Sequence, residues 1–169
     1  MLQSRRAWSQ VFLLVCSLVG AAIAIYLTVV HYNESVPLFC SGSGLVNCGF
    51  VLSSPYGVVL GTSIPTSVPG LAWCLVMAVL AIVGLRARPR WLRPAQFVWA
   101  LVALLTALYL VYVEIVRLHA ICAWCSALHG LILLMFLVTL VRLTSPQPGE
   151  AELEDVQEEE ADAVHPPVK

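Results

Sequence analysis

The chain has 169 residues, of which 60% are hydrophobic and 11% charged, and its mean hydropathy is +0.88. That balance excludes an ordinary water-soluble domain. The net charge of −1 hides an asymmetry: residues 1–143 hold eight arginines against Glu34 and Glu114, hence +6, while residues 144–169 hold eight acidic residues against Lys169.

In chain order, Arg5 and Arg6 precede a first apolar run over residues 11–30, with Trp8 at its start and Cys16 in its middle. Ser4-Arg5-Arg6 is a faint twin-arginine match, and Ala22-Ile23-Ala24 mimics a cleavage site. The run continues well past that point, so an uncleaved anchor helix is expected. Residues 31–67 form a long connection with no Lys or Arg, one acid (Glu34), and the cysteines Cys40 and Cys48. Asn33-Glu34-Ser35 fits a glycosylation sequon, which has meaning only in a eukaryotic host. A second run covers 68–85 and includes Cys74. Arg86, Arg88, Arg90 and Arg93 fill the next link, which also carries Trp91. The third run spans 95–113 with Trp99 near its start, and Glu114, Arg117 and His119 follow. The fourth, 120–141, opens on Cys122-Ala-Trp-Cys125 and ends at Arg142.

None of the four runs contains Asp, Glu, Lys or Arg, and at 20, 18, 19 and 22 residues each is long enough to cross about 30 Å of hydrocarbon as a helix. The expected fold is all-α, an integral membrane four-helix bundle over residues 1–143 with one capping outer loop. Residues 144–169, with four prolines and the run Glu158-Glu159-Glu160, have too little apolar surface to fold and read as a disordered acidic cytoplasmic tail. Arginines sit at the N-terminus, in the second link and after the fourth run. The positive-inside rule therefore places both termini in the cytoplasm of an inner or plasma membrane, and the 31–67 loop and residues 117–125 outside. Trp8, Trp91 and Trp99 fall near the expected interfaces, as an aromatic belt would. No nucleic-acid partner is expected.

The outer face meets oxidising conditions, where cysteines hold disulfides. Cys122 falls in the first turn of the fourth helix, where free N–H groups and the macrodipole favour a thiolate, and Arg117 and His119 add positive potential. Arg117 could equally pair with Glu114, three residues earlier. Cys125, one turn deeper beside Trp124, should face the interior. Zinc is the alternative use of a C-x-x-C pair, but Cys40-x7-Cys48 is longer than a zinc knuckle, and no metal is expected. Two disulfides that only brace the outer face are a further alternative. Cys16 and Cys74, without charged neighbours, read as small hydrophobes.

Across roughly residues 10–142 the chain resembles the vitamin K epoxide reductase family, including its bacterial disulfide-forming members. The resemblance is carried by Cys40-x7-Cys48, Leu52-Ser53-Ser54-Pro55-Tyr56-Gly57, Gly61-Thr62-Ser63-Ile64-Pro65-Thr66 with Gly70, and Cys122-x-x-Cys125. It implies a four-helix bundle around a quinone (menaquinone, ubiquinone or vitamin K), capped over residues 46–60, with Ser53 near the redox pair. It further implies that Cys40 exchanges disulfides with a partner protein, that Cys48 relays electrons to Cys122, and that Cys125 faces the quinone. A DsbB-type oxidase would do the same work but carries its C-x-x-C near the first outer loop; the reversed order here favours the vitamin K epoxide reductase relatives.

Departures from the vertebrate pattern are instructive. His129 stands where those enzymes have a tyrosine, Tyr56 where they have a tryptophan, and Thr66 replaces a loop asparagine that contacts the quinone. These four positions, Ser53, Tyr56, Thr66 and His129, are the expected quinone contacts, and the changes favour simple quinone reduction over epoxide reduction. Some relatives carry a fused thioredoxin-like domain after the fourth helix; the acidic tail stands there instead. The implied electron donor is a separate DsbA-like, thioredoxin-fold protein.

Overall fold

The structure is a computed structural model that describes residues 2–33, 35–40, 45–59, 61–87 and 89–145, without the side chains of 2–6. The acidic segment from residue 146 onward, Glu34 of the sequon, Leu60 of the expected cap, Arg88, and the side chains of Arg5 and Arg6 lie outside the described residues.

Four long helices cross the molecule: α1 (Leu2–Tyr32), α3 (Ser67–Arg86), α4 (Leu92–Tyr112) and α5 (Ala123–Thr144), with a short α2 (Cys48–Ser53) between the first two. Each long helix is apolar and long enough to span a bilayer, with window hydropathies of 2.1–2.5. The helix ends do not coincide with the apolar runs: α1 begins nine residues before its run, α4 begins three residues before its run, and α5 begins three residues inside its run and ends three beyond it, because backbone hydrogen bonding does not follow hydropathy. Pro69 and Pro94 fall in the first turns of α3 and α4, where a missing N–H is harmless.

The bundle is held by close packing of small and flexible side chains: Leu13, Cys16, Met77, Ala81, Ala100, Ala103, Ala107, Ile132 and Met135 share one core. Lipid tails are as apolar as leucine, so close backbone approach, rather than hydrophobicity, joins such helices. At Gly20 a Cβ would come within 3.0 Å of the Cys74 sulfur, so α1 and α3 meet where a side chain is absent. Thr28 and Ser67 join the same two helices at 2.8 Å. Large apolar side chains such as Leu18, Val79, Leu105 and Leu134 are turned outward, as a lipid-facing surface requires.

Two features differ from expectation. Trp99 is engaged between helices: its indole N–H donates to Trp73 O at 3.2 Å, and Trp73 returns the bond to Trp99 O at 3.0 Å. This reciprocal pair clasps α3 to α4. Trp8 and Trp91 are exposed, in keeping with a belt. The chain also leaves α4 through a π-helix, Val113–Leu118, which closes on His119 in the left-handed region at φ 52°. The wider π turn breaks the α spacing that would have stacked Arg117 on Glu114: Arg117 is exposed and Glu114 is buried.

At the bundle end away from the cysteines, the side-chain amides of Gln10 and Gln96 pair at 3.3 and 3.1 Å, Arg142 donates to Gln96 Oε1 at 2.7 Å, and the Gln10 amide, turned to present its oxygen, accepts from Arg142 at 2.6 and 2.8 Å. Both glutamines are buried. This knot ties α1, α4 and α5, and a half-broken one leaves buried polar groups unsatisfied. Gln96→Leu is therefore expected to lower stability by about 1–3 kcal/mol, read as a fall in the thermal unfolding midpoint in detergent; an unchanged midpoint would show that the knot contributes nothing.

Candidate active site

Two backbone hydrogen bonds bring the loop to the end of α4–α5. Asn47 N–H donates to Ile121 O at 3.0 Å and Ile121 N–H to Leu45 O at 2.8 Å, making a parallel bridge between Val46 and Ile121. Immediately after Asn47 the chain enters α2, whose N-terminus is capped by Asn47 Oδ1 accepting from Phe50 N–H at 3.0 Å. Immediately after Ile121 comes Cys122, the N-cap residue of α5, one position ahead of the expected first turn. The two cysteine pairs are thus set side by side. Cys48, Val51, Ala120 and Cys122 form one buried cluster, with Cys40, Trp124 and Cys125 packed against it.

Within this arrangement Cys40 and Cys48 are joined as a disulfide, while Cys122 and Cys125 are thiols. Cys122 is fully buried, and its sulfur accepts from Cys125 N–H at 3.2 Å. The Cys125 thiol, hydrogen-bonded to that sulfur, is the main influence holding the Cys122 thiol below its ordinary pKa; burial opposes it, and the Cys125 and Trp124 amides add to it. The sequence pointed to Arg117 and His119 for this effect, yet both are exposed. The acidifying groups are instead the C-x-x-C's own thiol and amides.

The segment carrying Cys40 is held from two helices. Tyr26 OH donates to Pro37 O at 3.1 Å and accepts from Phe39 N–H at 3.0 Å, and Trp124 Nε1 donates to Phe39 O at 2.9 Å. The Tyr26 and Trp124 rings are themselves in contact, with centroids 5.1 Å apart.

Below α2 the loop folds back through a tight turn at Gly61, φ 80°, with Val59 N–H donating to Ile64 O at 2.8 Å. Thr66 N–H and hydroxyl both donate to Gly57 O, at 2.9 and 3.2 Å. A Cβ on Gly57 would collide with the Leu52 carbonyl, which is why glycine stands there. The fold-back makes a lid over two adjoining cavities. A small one of about 70 Å³ is bounded by Ser54, Glu114, Cys125 and His129, among others. A large one of about 540 Å³ lies between α3 and α4 under the lid and includes Trp73, Cys74, Trp99 and Ile132 in its walls. Tyr56, Thr66, Leu110, Leu128 and His129 line both.

Of the expected contacts, Tyr56, Thr66 and His129 stand together at this boundary, with Cys125 just beyond it. Ser53 does not join them: its hydroxyl turns out to Phe50 O and its neighbour Ser54 is the buried serine facing the small cavity. Ser53 closes α2, and the bend after it reverses which serine points inward. Glu114, for which α-helical spacing offers a pairing with Arg117, is instead buried and borders the small cavity. Cys16 and Cys74 are buried, and Cys74 also lines the large cavity.

A model of the vitamin K epoxide reductase family matches residues 11–140. The chain belongs to that family. Its four apolar spanning helices and its cysteines accordingly make it a multi-pass membrane thiol oxidoreductase. In this member of the vitamin K epoxide reductase family the match takes in the second and third spans, the lid, both cysteine pairs and most of the first and fourth spans, and stops short of the acidic segment.

Because the folded pKa of Cys122 is lowered, its thiolate survives to lower pH than an ordinary thiol's and is lost as pH falls through that lowered value, below the ordinary thiol range of about 8.5. Cys125→Ala removes the main cause, so the ultraviolet thiolate absorbance of Cys122, taken as a difference from Cys122→Ser, should titrate at higher pH than in the native chain. An unmoved midpoint would rule out the hydrogen bond as the cause.

Proposed function

We propose that the protein reoxidises a thioredoxin-fold, DsbA-like partner and delivers the electrons to a membrane quinone, in support of disulfide formation on the outer face. The observation that carries this reading is the cavity pair: an apolar chamber of about 540 Å³, within the size range of small-molecule sites, adjoining Cys125 through a boundary that includes His129. The His129 Nδ1 is buried and has no hydrogen-bond partner among the described residues. A buried orphan of that kind suits a ligand oxygen, so the residues present fit a quinone. Walls that include the outward-facing Val76, Val102 and Tyr109 open the chamber between α3 and α4, a route from the lipid.

The chain's own steps follow from disulfide exchange. A partner thiolate attacks Cys40, and Cys48 leaves as a thiolate; the partner's second thiol then attacks the mixed disulfide and carries the bond away. Cys48 attacks Cys122 of the oxidised inner pair and releases Cys125; Cys40 then attacks Cys48, restoring the Cys40–Cys48 bond and leaving Cys122 and Cys125 as thiols. That end state matches the one described above. A bound quinone supplies a sink for two electrons and two protons. Cys125, on the cavity, is the thiol placed to donate, and His129 orients the ring oxygen. Purely bracing disulfides would leave a hydrogen-bonded thiol pair beside a chamber without purpose.

The test is quinone reduction, followed by absorbance, by the purified chain with a reduced DsbA-like partner. Activity should vanish in Cys125→Ser; equal rates in mutant and native chain would sink the reading. His129→Phe keeps a ring but removes the nitrogens, so KM for quinone should rise about fivefold, the worth of one hydrogen bond of about 1 kcal/mol, with reduction of the outer pair by the partner unchanged.

A further inference from the structure

We propose that Glu114 and Cys122 alternate as the single anion at the N-terminus of α5, so that Glu114 holds one of the two protons that pass through the inner cysteine pair. Glu114 is 5% exposed and sits in the π-helix, a distortion frequent at functional positions. Its Oε2 accepts from the backbone N–H of Cys122 at 3.5 Å, one of the free amides that open α5. It borders the small cavity together with Cys125 and His129. A carboxyl group inside a spanning segment is costly unless it has a function, and Arg117, the nearest basic side chain in sequence, is turned away.

The crowding supplies the mechanism. A Cys122 thiolate and a Glu114 carboxylate would be two buried anions at one helix end, and like charges at such range suppress each other's ionisation. The other titratable groups on the small cavity are Tyr56, Cys125 and His129, and no lysine or arginine borders it. One negative charge is thus the stable occupancy. With the pair reduced, the charge is on Cys122, and protons are on Cys125 and Glu114. When the pair closes to a disulfide, two electrons leave the two sulfurs, and the Cys125 and Glu114 protons go with them to the acceptor; the charge then rests on Glu114. Two protons and two electrons depart together, and the site's net charge is −1 before and after. Reduction by the Cys40–Cys48 dithiol reverses each transfer. The end of α5 never has to lose or gain charge inside the membrane, which would be the expensive alternative.

The inference deepens the quinone-reductase reading and rests on the inner pair cycling, so its test uses neither quinone nor partner. Infrared difference spectra are recorded on the full chain in lipid, with its cysteines set by a soluble dithiol or by a chemical oxidant. The dithiol form should show a protonated carboxyl band that the disulfide form replaces with carboxylate bands. Glu114→Asp should shift the band and Glu114→Gln should abolish it. No redox-linked band in the native chain, or one that survives Glu114→Gln, overturns the proposal. In turnover, Glu114→Gln should reduce quinone about a hundredfold more slowly, the scale of a lost proton-transfer group, while a reduced partner still opens Cys40–Cys48 at the native rate; unimpaired quinone reduction also overturns it. Quinone reduction without the band defeats the proposal alone, and the band without quinone reduction defeats the functional reading alone.

Discussion

Everything at the redox end depends on the two backbone hydrogen bonds that join Leu45 and Asn47 to Ile121. Disulfide exchange requires the attacking sulfur to reach a sulfur at bonding distance, and the two cysteine pairs belong to segments far apart in the chain. Side-chain packing alone would leave the loop free to slide by a residue. A backbone bridge fixes register, because a one-residue slip would turn Cys48 away from the cluster it now shares with Cys122. The bridge is made by peptide groups and involves no sulfur. Cysteines can open and close while the peptide groups keep the loop in place, so the closure entropy of a long connection does not have to be met afresh in each turnover.

The bundle treats its buried polar groups in opposite ways at its two ends. Gln10, Gln96 and Arg142 satisfy one another and behave as structure. His129 keeps an unpaired nitrogen, and Glu114 holds one long contact to an amide. In a low-dielectric interior such incomplete satisfaction is costly, and it persists where another molecule or another charge state completes it. The contrast between a closed polar knot and an open one, in the same short bundle, marks which end does chemistry.

The four spans were legible from charge-free runs, since hydropathy and helix length leave few alternatives, and the distribution of arginines put the cysteine-bearing segments on one side; that the segments meet came from the family resemblance alone. What could not be read was rotation about local axes. Which of Ser53 and Ser54 faces inward depends on where a six-residue helix ends, and that is set by Asn47 and the bridge rather than by the serines. A Glu114–Arg117 pair was one alternative that α spacing allowed, and nothing in the letters announces a π turn. Trp99 looked like a belt residue from its distance to the arginines, but its indole found a carbonyl on the neighbouring helix. Each miss concerns a side chain whose direction is decided by a partner distant in sequence.

Trp124 lies between the two inner cysteines and also holds the Phe39 carbonyl, next to Cys40. In a C-x-x-C the two middle residues lie against both sulfurs and so bear on their reactivity. Here one of them is mortgaged to the architecture of the outer loop. A change at Trp124 would therefore disturb the seat of Cys40 and the surroundings of the inner sulfurs at once, so the two cannot be adjusted separately at that position.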